Sequence, residues 1–280
     1  MSSLLAIKIV ATVAILGVAT IGGLIPLLMT RHNASHRFFS LGNSLAGGIF
    51  LGAGFIHLLP EASEVLEDAV EYPLGPMLAA VGVALLLLID RVVFENRAQP
   101  DQDKAKPRPI YPVVLLIVLS IHSAIAGAAL GLQSDAVTSI FVVVAILCHK
   151  GSAAFALIVS MVAAGAERKR LWAVLAIFAS MTPLGIVLGT VASGILEGEV
   201  AVLIEASFNA LAAGTFIYVA ILDVINAEMS RIDDRVAHFV RSAMVGDDDL
   251  PMPTEDTDRL LKFSLVLVGF IGMALVGVWI

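Results

Sequence analysis

Long apolar runs alternate with polar breaks along the whole chain. Crossing the hydrocarbon core of a bilayer takes about 20 predominantly apolar residues in a helix. Runs of that length fall at roughly 4–29, 38–61, 74–94, 110–133, 137–165, 171–196, 200–227 and 260–280. The breaks read RHNASHR, EASEVLEDAVEY, ENRAQPDQDKAKPRP, QSDAVT, AERKR, EGE and the longer Ala227–Asp258 segment. The pattern predicts an all-α polytopic membrane protein with eight transmembrane helices in a single domain over 1–280. Lys8 ahead of an apolar run has the look of a signal peptide. Ile9 to Met29 is nevertheless long enough to span, and no small-residue cleavage site precedes a polar start, so it is read as the first helix.

The basic residues orient these spans. With the N-terminus outside, every Lys and Arg of the 17 falls in an inner break or at an inner helix end, except Lys8 and Lys150. The positive-inside rule then places both termini outside. The sequon Asn33-Ala34-Ser35 falls in an inner loop and should carry no glycan. The last inner segment, about 228–258, reads as a short amphipathic start followed by a flexible cytoplasmic loop. The outer breaks are acidic: Glu64, Glu67, Asp68 and Glu71 after span 2, Asp135 after span 4, Glu197 and Glu199 after span 6. Each alone is an ordinary solvated charge; together, with no basic residue among them, they concentrate cations on one face.

Composition agrees. Apolar residues make up 59% and charged residues 15%, with a mean hydropathy of +0.95, far from the balance of a soluble domain. The net charge of −7 and the lack of a basic cluster argue against nucleic acid as a partner, leaving the lipid bilayer. A single cysteine, Cys148, excludes an internal disulfide and a CxxC knuckle. There is no GxxxxGK[ST] loop to couple ATP.

The polar residues left inside the spans are the informative ones: His57, Glu61, His122, Ser123, His149, Lys150, Thr182 and Glu205, with Asp223 nearer the inner side. At about 1.5 Å per residue, His122 and His149 lie at nearly one depth on adjacent antiparallel helices. His57 and Glu61, one turn apart, are expected about 9 Å shallower, as an entrance pair. Small residues follow both deep histidines (Ala124, Ala126, Gly127, Ala128; Gly151, Ser152, Ala153) and admit close helix packing. Neutral imidazole suits zinc and other first-row divalent ions, while a lone buried histidine is more often hydrogen-bonded structure. Lys150 is the outlier, because a lysine at the bilayer centre costs about 2.5–3.5 kcal/mol on insertion scales. Cys148 lies about 100° around the helix from His149 and reads as packing.

The stretches GGIFLGAGFIHLLPEA, HSAIAGAALGLQ, HKGSAAFAL, SMTPLGIVLG and ALAAGTFIYVAILDVI, on spans 2, 4, 5, 6 and 7, together resemble the ZIP family of zinc and iron transporters, in the branch whose fifth helix reads His-Lys. The resemblance covers nearly the whole chain and implies eight spans with both termini outside. It also implies movement of divalent ions toward the cytosol along helices 2, 4, 5 and 7. It assigns His122 and His149 as central metal ligands, Ser123 as the neighbouring position, and His57 with Glu61 as the outer approach. Lys150 falls where many relatives hold a ligand for a second metal, and Thr182 where some place a glutamate. The chain departs from the family at Ala126 and Ala153, where carboxylate or histidine ligands are common, and its 97–108 loop has no histidine-rich tract.

These changes point to one ion per site, with Lys150 standing in for the charge of a second metal. The opposite role, a salt bridge to Glu205 or Asp223 that only fixes packing, remains open. The resemblance implies zinc as transported substrate, with Fe2+, Mn2+ or Cd2+ as alternatives, and no prosthetic group. It also implies a plasma or bacterial inner membrane setting and a homodimer among the partners. A metal sensor without flux and an intramembrane zinc hydrolase are the competing classes; the second lacks a midplane carboxylate on spans 4 and 5, so no enzyme is expected. The acids of the 228–258 segment, with His238, are read as a solvated linker or an exit route for metal.

Overall fold

The structure is a computed structural model describing residues 3–29, 36–89, 111–192, 199–230 and 258–278, without the side chains of Ser3, His36, Tyr111, Glu199, Val200, Ala201 and Asp223. The order is α1 (Ser3–Met29), α2 (His36–Gly52), a π-helical turn (Ala53–Leu58), α3 (Leu59–Ala69), α4 (Leu74–Leu87), α5 (Tyr111–Leu132), α6 (Ala136–Ala163), α7 (Arg168–Ala192), α8 (Glu199–Tyr218), a second π-helical turn (Val219–Ile225), α9 (Asn226–Met229) and α10 (Arg259–Gly277). Among the described residues, seven helical stretches are long and apolar enough to cross a bilayer, and α4 is a shorter apolar helix. The end of the third predicted span, the Asn33 sequon and most of the 228–258 loop lie outside the described residues.

The second span departs from its predicted end. The acidic stretch EASEVLEDA is helical, and one continuous helix runs from Arg37 to Ala69. No Pro or Gly occurs between Glu61 and Tyr72, and the stretch buries Ala62 and Leu66 against α8 while Glu64, Glu67 and Asp68 stay exposed. Hydrophilicity alone does not end a helix that keeps an apolar stripe.

The helices pack as two bundles. One holds α1, α5, α6 and α7; the other holds α2–α3, α4, α8 and α10. Glycines set the spacing inside each. A Cβ added at Gly185 or Gly189 on α7 would collide with the Ala124 or Ala128 carbonyl of α5, and one at Gly22 on α1 with the Gly151 carbonyl of α6. In the second bundle Gly214 of α8 faces the Ala79 carbonyl of α4, and Gly48 of α2 the Val266 carbonyl of α10. Backbone thus meets backbone, as small residues allow in membrane helices.

Polar pins secure the bundles at their ends. Buried Lys8 of α1 donates to the Gly131 carbonyl near the end of α5 at 2.5 Å, and Thr190 of α7 donates to the same oxygen at 3.4 Å. Lysine at a helix C-terminus satisfies a carbonyl that has no ladder donor. Asp135 caps α6, accepting from the Thr138 backbone N–H at 2.7 Å. In the second bundle Glu228 accepts from Ser40 and pairs with Lys262 of α10 at 3.2 Å, while Arg37 pairs with Asp258 at 2.6 Å. Lys8, near the start of α1, thus lies beside the end of α5 that leads into α6.

Candidate metal pathway

Pro60 shapes the first part of the site. A proline has no N–H and crowds the carbonyl four residues back. Here it sits in the first turn of α3, just after the wide turn Ala53–Leu58, which takes the ladder out of α-register. His57 lies on that turn. Its Nδ1 is 3.5 Å from the Glu61 carboxylate one turn further on.

The deep pair comes from the other bundle. His122 of α5 and His149 of α6 are both buried, with ring centroids 5.8 Å apart, and His57 reaches across to 6.5 Å from His149. Both ring nitrogens of His122 and Nδ1 of His149 are buried without a hydrogen-bond partner, against the general rule for buried polar atoms. The Phe216 ring of α8 stands edge-on to His122 at 4.8 Å and lies 6.0 Å from His149.

These groups border a narrow cavity of about 50 Å³, space for a few waters by the usual 10–15 Å³ each. Its walls include His57 and Glu61, then His122, Ala126 and Gln133 of α5, His149 of α6, and Glu205 and Asn209 of α8. Ala126 lines the cavity itself, so its missing carboxylate is missing from the wall. Among the described residues no three His, Cys, Asp or Glu side chains are close enough together to hold one metal ion. The donors are spread along the cavity instead of gathered around one point.

Lys150 does not line this cavity. Its ammonium turns toward α5 and α7, donating to Ser123 Oγ at 2.8 Å and the Phe178 carbonyl at 3.4 Å, and lies 3.8 Å from the Phe178 ring centroid. That cation–π geometry favours a desolvated ammonium. Pro183, in the next turn of α7, removes the N–H that the neighbouring Ala179 carbonyl would otherwise accept. Ser123 therefore faces Lys150, away from the cavity. Thr182 is fully buried on α7 with its hydroxyl unpartnered. No described carboxylate pairs with Lys150. Cys148 is exposed on the outer surface of α6, neither packed in the core nor in the cavity.

The expected place of His57 near the end of its helix is corrected. Because the helix runs on to Ala69, His57 is twelve residues from its end, about 18 Å, and its ring lies 6.5 Å from that of His149. Asn209 and Gln133 were missed as wall residues, and Glu205 was read only as a partner for Lys150. The i, i+4 spacing of Glu205 and Asn209 was the available signal.

Together these features define a multi-pass helical membrane protein with imidazoles and carboxylates along an intramembrane cavity. The sequence profile described as "ZIP Zinc transporter" matches residues 5–108 and 95–277, and the chain belongs to that family, whose members are transporters and not enzymes. It is similar to the zinc transporter ZIP2 of Mus musculus (28% identical) and of Homo sapiens (26%), each over 100% of both chains. It is also 27% identical to the zinc transporter ZIP1 of Mus musculus, over 84% of this chain and 87% of that one.

Proposed function

We propose that this protein carries divalent metal ions, zinc first, across a membrane toward the cytoplasm. The observation that carries the reading is the orphaned imidazole pair. Both ring nitrogens of His122 are buried beside the cavity without a hydrogen-bond partner, and His149 stands next to it on the same wall; neutral imidazole is a preferred zinc donor. Family membership and the zinc transporters it resembles support zinc as the cargo.

An ion enters at the end bearing Glu61, Glu64, Glu67, Asp68 and Asp135, the outer end by the distribution of Lys and Arg. It exchanges water for His57 and Glu61, then reaches His149 and His122, whose rings pack against Phe216. Lys150 supplies a fixed positive charge behind the histidines in place of a second ion. Its contacts with Ser123 and Phe178 hold that charge out of the cavity, easing the roughly 6–7 kcal/mol repulsion that a divalent ion about 5 Å away would meet at an effective dielectric near 20. The His ligands ride on one bundle and the entrance pair on the other, an arrangement suited to alternating access. The inner loop serves as a solvated linker.

The competing reading is a chain that binds metal without moving it, favoured by Ala126 in the cavity wall. Uptake of labelled zinc into liposomes separates the two. Transport predicts saturable uptake in wild type and its loss in His149→Ala, with protein yield unchanged. Zinc bound but not moved, with flux appearing only in Ala126→Glu, would overturn it.

A further inference from the structure

Helix α8 contributes a cavity wall of a different chemical kind. Glu205 and Asn209 lie one turn apart, so both side chains leave the helix on one face about 6 Å apart along the axis, and both border the cavity opposite the histidines. Asn209 is 9% exposed, and its Oδ1 is buried without any hydrogen-bond partner. Glu205 is half-buried and, among the described residues, has neither an ion pair nor a hydrogen bond. A buried amide oxygen and a confined carboxylate that face the same small space are acceptors in need of a donor or a cation. No Lys or Arg borders the cavity.

We propose that Glu205 and Asn209 form an oxygen-donor step for the divalent cation, on the wall that α8 gives to the cavity shared with the histidines. The inference rests on the transport reading for its direction, but not for the binding itself. Carboxylate and amide carbonyl are hard donors that take a cation still carrying water, whereas imidazole holds a borderline ion more strongly once water has gone. The cavity then offers three pairs of donors: Glu61 with His57, Glu205 with Asn209, and His149 with His122. Donors offered in pairs also fit the finding that, among the described residues, no three metal-ligating side chains converge. Each station offers two protein ligands and leaves the remaining positions to water, and stations of moderate affinity let the ion move on. The oxygen step belongs to the bundle of α2–α3, α4, α8 and α10, and the histidines to the other, so an ion held by the histidines can leave the oxygen step behind.

The test compares Glu205→Gln, Asn209→Leu and Asn209→Asp by zinc uptake in liposomes and by zinc binding to purified protein. Removing the carboxylate charge of Glu205 or the amide oxygen of Asn209 is expected to raise KM about tenfold while kcat changes less than about twofold, the pattern of a lost binding contact. Asn209→Asp, which keeps the oxygen, is expected to hold KM near wild type; a merely structural asparagine would not be rescued in this way. Binding is also measured in His122→Ala/His149→Ala, where zinc held at the entrance and oxygen step should weaken about tenfold or more when Glu205→Gln and Asn209→Leu are added. Unchanged KM in both single variants, or residual binding indifferent to them, overturns the proposal and leaves the transport reading standing. If wild type binds zinc but moves none, the transport reading falls, and the binding series alone decides for or against the oxygen step.

Discussion

The contacts inside the two bundles differ in kind from the contacts between them. Within each bundle, helices approach until glycine meets a carbonyl of the next helix, at Gly185 with Ala124 and Gly214 with Ala79. Across the seam the contacts are between side chains: Phe155 of α6 fills the space over Gly42 of α2 and stacks edge-on with Phe38 at 6.3 Å, while the Phe216 ring of α8 meets His122 and His149. The cavity lies on this seam. Backbone against backbone has one close-packed arrangement, whereas rings and long side chains repack at modest cost. The difference teaches where the molecule is rigid and where it can shift, and the candidate ligands line the part that can.

The comparison is broken most directly by filling a glycine contact. Gly185→Val is expected to destabilise by about 3 kcal/mol or more, because the added methyl groups meet a carbonyl that cannot rotate away. Thermal melting in detergent should show this as a loss of folded protein. Gly42→Ala, at the seam, meets only the far end of the Phe155 ring and is expected to cost less than about 1 kcal/mol. Equal losses in the two variants would erase the distinction drawn between bundle and seam.

Lys150 tests whether a residue buried inside a bundle can act on the seam. In Lys150→Met the Ser123 hydroxyl and Phe178 carbonyl lose a donor, about 1–3 kcal/mol, offset by the easier burial of an apolar chain. Melting should therefore move little, while zinc uptake falls about tenfold if the fixed charge matters to the histidines. A change in melting with unaltered uptake would assign Lys150 to packing alone.

The smallest expected effect is at the α6 cap. The backbone N–H of Thr138, helped by its hydroxyl, holds the Asp135 carboxyl below the usual carboxylate range. A carboxyl lowered on folding stabilises the folded state above its unfolded pKa, and that contribution is lost as pH falls through the folded value. Asp135→Ala should melt slightly below wild type near neutral pH, and the two curves should converge in acid below the carboxyl's ordinary pKa of 3.8.

Much of the architecture was legible in the chain because the bilayer fixes how long an apolar run must be. Counting residues along antiparallel helices put His122 and His149 near each other, and their rings lie 5.8 Å apart. The error at His57 came from taking an acidic stretch for a loop, although Ala62 and Leu66 keep an apolar stripe through it. The direction of Lys150 could not be read, because helical spacing fixes an angle around one helix and not which neighbour stands there. That neighbour is set by glycine contacts between distant segments, Gly127 with Thr182 among them. Asn209 was passed over for a similar reason. An amide among alanines looks like packing until a cavity is seen beside its oxygen.

The single thiol of the chain gives one of these features a practical use. Cys148 precedes His149 yet points to the outer surface of α6, so a membrane-permeant spin label or fluorophore attached there would ride on a ligand-bearing helix without entering the cavity. No other cysteine has to be removed first. One cysteine added on the other bundle would complete the pair of labels that a distance measurement between the bundles needs, read with and without zinc.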